Sequence, residues 1–315
     1  MKKIFLFCSL CCSLTNASYA RDWDEILSSG TLNVGMRTAA LIVYRPASSE
    51  KPGLMYEMAQ AFAQKHGLKI NLVEIPSFSS YWTPSNTEKT SSGLGTPEVY
   101  DKIDIAAEIF TVTDKRKSRI HMSPYIENVE LFFSRKGERQ KRYQDLVGKT
   151  ILTYEKMSFY KLMINEFHKR NLPFNQTYVT PLKDKIGTFE LPKGYKKDPT
   201  KINLLIFPTG TKAKATMSYQ PIASGLADVG INDAVGVLYR VFEVGQYKNI
   251  LRPLFPAQEK RSELAWGSRK QDTNLNKKIA DFFIEDKANG TFSKRLEKYI
   301  GMSFEDYQNL IKLFN

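Results

Sequence analysis

All three cysteines, Cys8, Cys11 and Cys12, lie close together near the N-terminus. They fall within a segment that reads as a cleavable secretion signal: Lys2 and Lys3 form a positive start, Ile4 to Leu14 an apolar run, and Ser18-Tyr19-Ala20 a small-residue cleavage site. An apolar run of that length is about half the roughly 20 residues that span a bilayer. Cleavage after Ala20 leaves a chain with no thiol, which must fold without disulfides, zinc–thiolate sites or cysteine nucleophiles. The residues preceding the cysteines, Phe7, Leu10 and Cys11, are not the small residue that lipid attachment requires. The expected product therefore has no lipid or membrane anchor, because charges also interrupt every later apolar run.

The remaining residues suffice for one large or two ordinary domains, and a hydrophobic content of 42% with 12% aromatics argues against disorder. The formal charge of +13 falls to +11 once Lys2 and Lys3 are removed. The lysines are scattered rather than gathered in a stripe with interleaved aromatics, so the excess reads as a basic solvated surface and not as a nucleic-acid site.

Along the chain, strand patterns alternate with helix patterns. Thr31 to Met36 reads as a buried strand. Met55, Met58, Ala59, Phe62 and Ala63 form a helical stripe that Gly67 ends, and a strand follows from Leu68 to Ile75. Residues 77–100, rich in Ser, Thr, Gly and Pro, read as a long loop with a helical turn beginning near Pro97. A strand end is expected at Asp104 to Ala107, with Thr113 as a helix N-cap, and a single strand from Asn128 to Ser134. Thr150 to Tyr154 is a strand pattern, followed by a helix from an N-cap at Ser158 to about Arg170. Residues 183–200 read as a lysine-rich surface insertion. Strands near 203–207 and 227–231, a helix near 235–244 and three C-terminal helices complete an α/β pattern with mostly parallel sheets and no internal repeat.

Several chemistries lack their motifs. His66, His121 and His168 are far apart, so no metal site and no cofactor is expected. No nucleophile elbow or phosphate-binding loop occurs, and Gly93-Leu94-Gly95 lacks the third glycine of a dinucleotide fingerprint. No carboxylates form a recognisable catalytic pair.

Two stretches stand out: Asp104-Ile105-Ala106-Ala107 leading through Thr111-Val112-Thr113-Asp114-Lys115-Arg116, and Ser123-Pro124-Tyr125 after it. In order with these come Gly53-Leu54-Met55-Tyr56-Glu57-Met58-Ala59, Asp145-Leu146-Val147-Gly148-Lys149, Gly225 to Asp233, and Asn289-Gly290-Thr291 with Glu297-Lys298-Tyr299-Ile300-Gly301. Together they resemble family 3 of the bacterial solute-binding proteins, over most of residues 28–301. Within that likeness, the Tyr56-Glu57 helix, the Asp104 strand and the Phe282-Phe283 to Thr291 ending are most similar to the N-terminal, non-catalytic domain of membrane-bound lytic transglycosylase F. The chain stops at Asn315, so that enzyme's cleavage activity is not carried over.

The resemblance implies a two-lobed type II periplasmic-binding-protein fold with two crossover hinge strands, closing on a ligand. Residues 21–132 with 258–315 would form the first lobe and 133–257 the second, with crossings near 131–134 and 255–260. It also implies a monomeric periplasmic protein, not an enzyme, that binds an amino acid or related small carboxylate and serves an ABC-type permease. Arg116 falls at the family's carboxylate-binding arginine, whose planar fork suits a carboxylate; its plain alternative is a surface arginine among Lys115, Lys117 and Arg119. Asp233 falls at the aspartate that pairs with a ligand ammonium, and it can equally cap a helix. Thr111 and Thr113 are placed to offer hydroxyl and backbone groups, Thr113 serving equally as a cap. Ser158 stands where a helix N-terminus donates amides, although Met157 replaces the usual small residue. Arg37 is either a second cleft cation, favouring an acidic ligand, or a rim residue. Tyr44 and Phe78 are either cleft walls or core aromatics.

Two other roles suit the same likeness. One is a sensor or adaptor that responds to cell-wall fragments. The other is a periplasmic dehydratase of cyclohexadienyl acids, with Glu108 or Glu155 as general acid. The signal reading has a direct check: N-terminal sequencing of the exported protein should begin at Arg21, and a chain retaining Lys2 and Lys3 would contradict it.

Overall fold

The computed structural model describes residues 21–38, 42–46, 48, 50–83, 95–182, 188–208, 216–243, 245–257 and 261–312. The leader reading, residues 1–20, lies outside them, as do residues 84–94 of the 77–100 loop.

The strands are β1 (Thr31–Met36), β2 (Lys69–Glu74), β3 (Ile105–Thr111), β4 (His121–Asn128), β5 (Glu130–Arg135), β6 (Thr150–Tyr154), β7 (Phe174–Tyr178), β8 (Thr180–Pro181), β9 (Phe189–Glu190), β10 (Ile202–Phe207), β11 (Val229–Asp233), β12 (Leu251–Pro256) and β13 (Ser262–Ser268). Among the described residues they form one sheet in the order β2-β1-β3-β13-β4, a second in the order β12-β5-β11-β6-β10-β7, and the β8-β9 ribbon. Each large sheet is a parallel set with antiparallel strands added: β13 and β4 in the first, β5 and β12 in the second.

Burial explains the placement. All six residues of β10 are buried, as are six of the seven in β3. Strands covered on both faces are buried along their whole length and not on alternate residues. β2 alternates instead, in keeping with its edge position. The helices that cover the sheets are amphipathic. In α2 (Leu54–Lys65), after α1 (Trp23–Ser29), the buried residues are Leu54, Met55, Met58, Ala59, Phe62 and Ala63. These recur at i, i+3 and i+4 and place one stripe on the sheet. The short α3 spans Asp114–Lys117 and the longer α4 spans Ser158–Lys169. Further along lie α5 (Thr216–Ala223), α6 (Ala234–Leu238), a π-helical turn (Tyr239–Glu243), α7 (Gly245–Lys248), α8 (Thr273–Ala288), α9 (Thr291–Ile300) and α10 (Phe304–Lys312).

Three expectations change. The single strand over 128–134 is two strands, broken at Val129, and the break is where the chain leaves the first sheet for the second. Glu130, Leu131 and Phe132, expected in the first lobe, pair with Asp233, Asn232 and Ile231 of β11 in the second sheet. A strand pattern does not record which sheet it joins, and β5 belongs to the second sheet from Glu130 on. The return crossing lies between Pro256 and Ser262, and at its start the Ala257 N–H donates to the Glu130 carbonyl at 2.7 Å, tying the two crossings together. The helix expected near 235–244 is the short α6 continued by the π-helical turn.

Gly230 shows how tightly the second sheet is built. It pairs with Phe133 across β11 and β5, and a Cβ at this position would lie 2.3 Å from the Phe133 ring. The ring cannot swing aside because Tyr219 stacks on it at 4.7 Å. Gly230→Ala should therefore destabilise the protein by about 1–3 kcal/mol, the usual cost of overpacking. Urea denaturation checks this, and an unchanged midpoint would show that the ring has room to move.

Candidate functional site

A cleft between the sheets holds about 810 Å³ of space, its mouth included. Arg37 directly follows β1 and Thr111 ends β3, while Tyr154 and Asp233 end β6 and β11. The site thus lies beyond the carboxyl ends of parallel strands, where open α/β sheets leave a crevice.

Arg116 sits in α3, whose N-cap is Thr113: the Thr113 hydroxyl accepts the Arg116 N–H at 3.3 Å. The guanidinium donates through Nη1 to the Thr111 carbonyl at 2.7 Å and lies 5.2 Å from the centres of both the Phe78 and Trp82 rings. Burial pulls its pKa down to about 10, with Asp233, Tyr100 and Glu130 opposing the shift. It remains a cation at neutral pH, facing the cleft.

Asp233 approaches from the second sheet and is only 8% exposed. Burial lifts its pKa to about 6, against the downward pull of Arg116, Asn128 and the Thr111 hydroxyl. Asp233 occupies the N-cap position of α6, yet its side chain makes no capping bond. Asn128, fully buried at the end of β4, takes over that task. Its Oδ1 accepts the Ala234 N–H at 3.0 Å, and its Nδ2 donates to Asp233 Oδ1 at 3.0 Å and to Ser262 Oγ at 3.3 Å. One amide therefore joins both crossings to the acidic end of β11.

The other expected residues divide. Thr111 and Ser158 meet across the cleft, the Ser158 hydroxyl donating to Thr111 Oγ1 at 3.3 Å. Ser158 is the first residue of α4 and not its cap; Met157 holds the cap position without a side-chain bond, since a thioether offers no strong acceptor. Thr113 caps α3 and does not line the cleft. Phe78 is a cleft wall. Tyr44 is not: its ring packs on Tyr56 at 4.7 Å, against the core of the first sheet.

Arg37 lines the cleft but is not a free cation. Its Nε and Nη2 donate to the two carboxylate oxygens of the fully buried Glu108, at 2.5 and 2.9 Å. Burial opposes the charge on Arg37, but Glu108 outweighs it and leaves the pKa raised. The same pairing occupies Glu108, one of the two residues considered as a general acid. The other, Glu155, accepts the Tyr178 hydroxyl at 3.0 Å and does not line the cleft.

Sequence reasoning passed over Asn128 and Arg240. Asn128 could have been noticed as an amide at the start of a strand pattern, between Glu127 and Glu130. Arg240 was absorbed into an expected helix, yet it is buried, lines the cleft, and lies 5.3 and 5.6 Å from the ring centres of Tyr219 and Tyr239. Among the described residues no group of three or more His, Cys, Asp or Glu side chains could hold a metal ion, and no helix is long and apolar enough to cross a membrane.

Comparison with known proteins agrees with this architecture. Residues 32–302 match the bacterial extracellular solute-binding proteins, family 3, and the chain belongs to that family. Among solved structures, an ABC uptake transporter substrate-binding protein from Streptococcus pneumoniae with bound histidine is 19% identical, with a TM-score of 0.59, over 90% of this chain and 97% of that one. The GluR0 ligand-binding core from Nostoc punctiforme in complex with glutamate is 16% identical, with a TM-score of 0.54, over 85% and 98%. An ancestral arginine-binding protein bound to arginine is 20% identical, with a TM-score of 0.56, over 86% and 98%. No curated protein matches in sequence. The fold is thus the two-lobed α/β fold of the amino-acid-binding proteins.

The buried aspartate carries a stability consequence. Because its folded pKa, about 6, lies above the ordinary 3.8, Asp233 favours the folded state fully below pH 3.8. That contribution, about 3 kcal/mol at 1.36 kcal/mol per pKa unit, is lost as pH rises through 6. Asp233→Asn carries no charge to bury. Without ligand it should be more stable than wild type at pH 7.5, by up to about 3 kcal/mol, and the gain should fade toward pH 4. Urea titrations at both pH values decide; a gain independent of pH would refute the assignment.

Proposed function

We propose that the protein binds an amino acid or a related small carboxylate in the cleft and passes it to a membrane transporter. The observation that carries this reading is the presentation of opposite charges in one cleft by opposite sheets: Arg116 from the first, Asp233 from the second. A zwitterion satisfies both at once. Its carboxylate takes the fork of Arg116, and the N-terminus of α4, beside Ser158, adds to the same field. Its ammonium replaces the water that Asp233 has lost. Thr111 lies between the two anchors, and Phe78 forms the wall behind the guanidinium. In this reading the two sheets are lobes that close by turning about the crossings at Val129 and next to Ala257, and ligand contacts made only in the closed state stabilise closure.

The leader read in residues 1–20 places the protein in the periplasm, where it acts as a monomer beside an ABC-type permease and is not an enzyme. Family membership, a fold shared with proteins solved with amino acids bound, and the pairing of Glu108 with Arg37 all support a binder.

Calorimetry against a panel of amino acids tests the proposal, and a folded protein that binds none of them would end it. Arg116→Ala should weaken the best ligand by about 30-fold or more, since removing one partner of a desolvated charge pair typically costs at least about 2 kcal/mol. Unchanged affinity would show that the carboxylate binds elsewhere.

A further inference from the structure

We infer that the ligand carries a second negative charge, as in an acidic amino acid, and that Arg240 is the residue that selects it. This rests on the zwitterion reading above, because it asks what remains in the cleft once Arg116 and Asp233 are engaged. Arg240 is 4% exposed and lines the cleft from the second sheet's side. Among the described residues no carboxylate or hydrogen-bond acceptor meets its guanidinium; its partners are the rings of Tyr219 and Tyr239. Aromatic faces attract the charge and hold it in place, but they offer no lone pair to its N–H groups.

The other charges are accounted for. Arg37 is matched by Glu108 and cannot serve an acidic side chain. Asp233 is bound by Asn128 and lies beside Arg116. Glu130, opposite Asp233 in the strand pair, is 1% exposed, lies near Ser262 at the crossings and acts on Arg116. With Arg116 assigned to the ligand's own carboxylate, Arg240 is thus the remaining cleft cation without a carboxylate partner among the described residues. A buried cation costs free energy unless paired, and a carboxylate is the group its planar fork fits. A cationic side chain would be repelled, even though two of the similar structures hold histidine and arginine.

The test uses the exported protein, unfolded and refolded to strip carried ligand, titrated with glutamate, aspartate, glutamine, asparagine, arginine and lysine. Glutamate or aspartate should bind at least about tenfold more tightly than its amide, the range expected for a charge pair formed away from water. Arg240→Met, which keeps much of the side-chain length without the charge, should remove that preference. Amides or basic amino acids binding as tightly as the acidic ones would overturn the inference and leave the zwitterion reading standing. Equal losses for acid and amide in Arg240→Met would overturn it too. Binding of no amino acid would fail the zwitterion reading and this inference with it. If Arg240→Met does not fold, the wild-type ranking alone decides.

Discussion

The carboxylate of Asp233 is ionised at neutral pH while lying almost wholly out of water, and the junction of the two sheets is arranged around that charge. Three groups from the first sheet's side reach it or act on it: the amide of Asn128, the hydroxyl of Thr111 and the guanidinium of Arg116. Their combined pull falls short of the cost of burial, since the pKa stays above its ordinary value. The charge is therefore buried at a net cost that the surrounding groups do not fully offset. Local rules of stability are broken where a ligand is expected to complete them.

Strand pairing sharpens the problem. β5 and β11 run antiparallel with Glu130 directly opposite Asp233, and like charges in such a position repel. Arg116 feels both carboxylates, so a single cation from the first sheet moderates a repulsion within the second. That makes α3 a structural partner of the second sheet. Asn128 completes the arrangement. By bonding Ala234, Asp233 and Ser262 together it fixes the end of β11 against both crossings, so any turning of the sheets must take place around this amide.

Much of the framework was legible because it is local. The stripe of α2 and the buried run of β1 follow from spacing alone, and Thr113 announces the start of α3. Arg116 and Asp233 could be singled out because their neighbours form an ordered motif. What stayed hidden depends on partners distant in sequence. Arg37 could be read as a spare cation only because Glu108, seventy-one positions away, could not be seen beside it. Asn128 looked like the start of a strand, whereas its amide gains meaning from residues more than a hundred positions on. The break at Val129 depends on which sheet each side pairs with, and local spacing does not record that.

Phe78 shows how the first sheet sorts its two arginines. Both guanidiniums lie over this ring, Arg37 at 5.1 Å and Arg116 at 5.2 Å. Two cations sharing one aromatic ring would repel across a poorly hydrated space unless one were neutralised. Glu108 neutralises Arg37 through two hydrogen bonds, and the pair then works as a dipolar support for the ring. Arg116 keeps its charge, with a backbone carbonyl holding one edge and two aromatic faces steadying the plane. The remaining N–H groups of that fork are already oriented before a ligand arrives, which lowers the ordering cost of binding. The two arginines that the sequence presents alike thus differ in pairing, and only Arg116 keeps a fork unmatched by a carboxylate among the described residues.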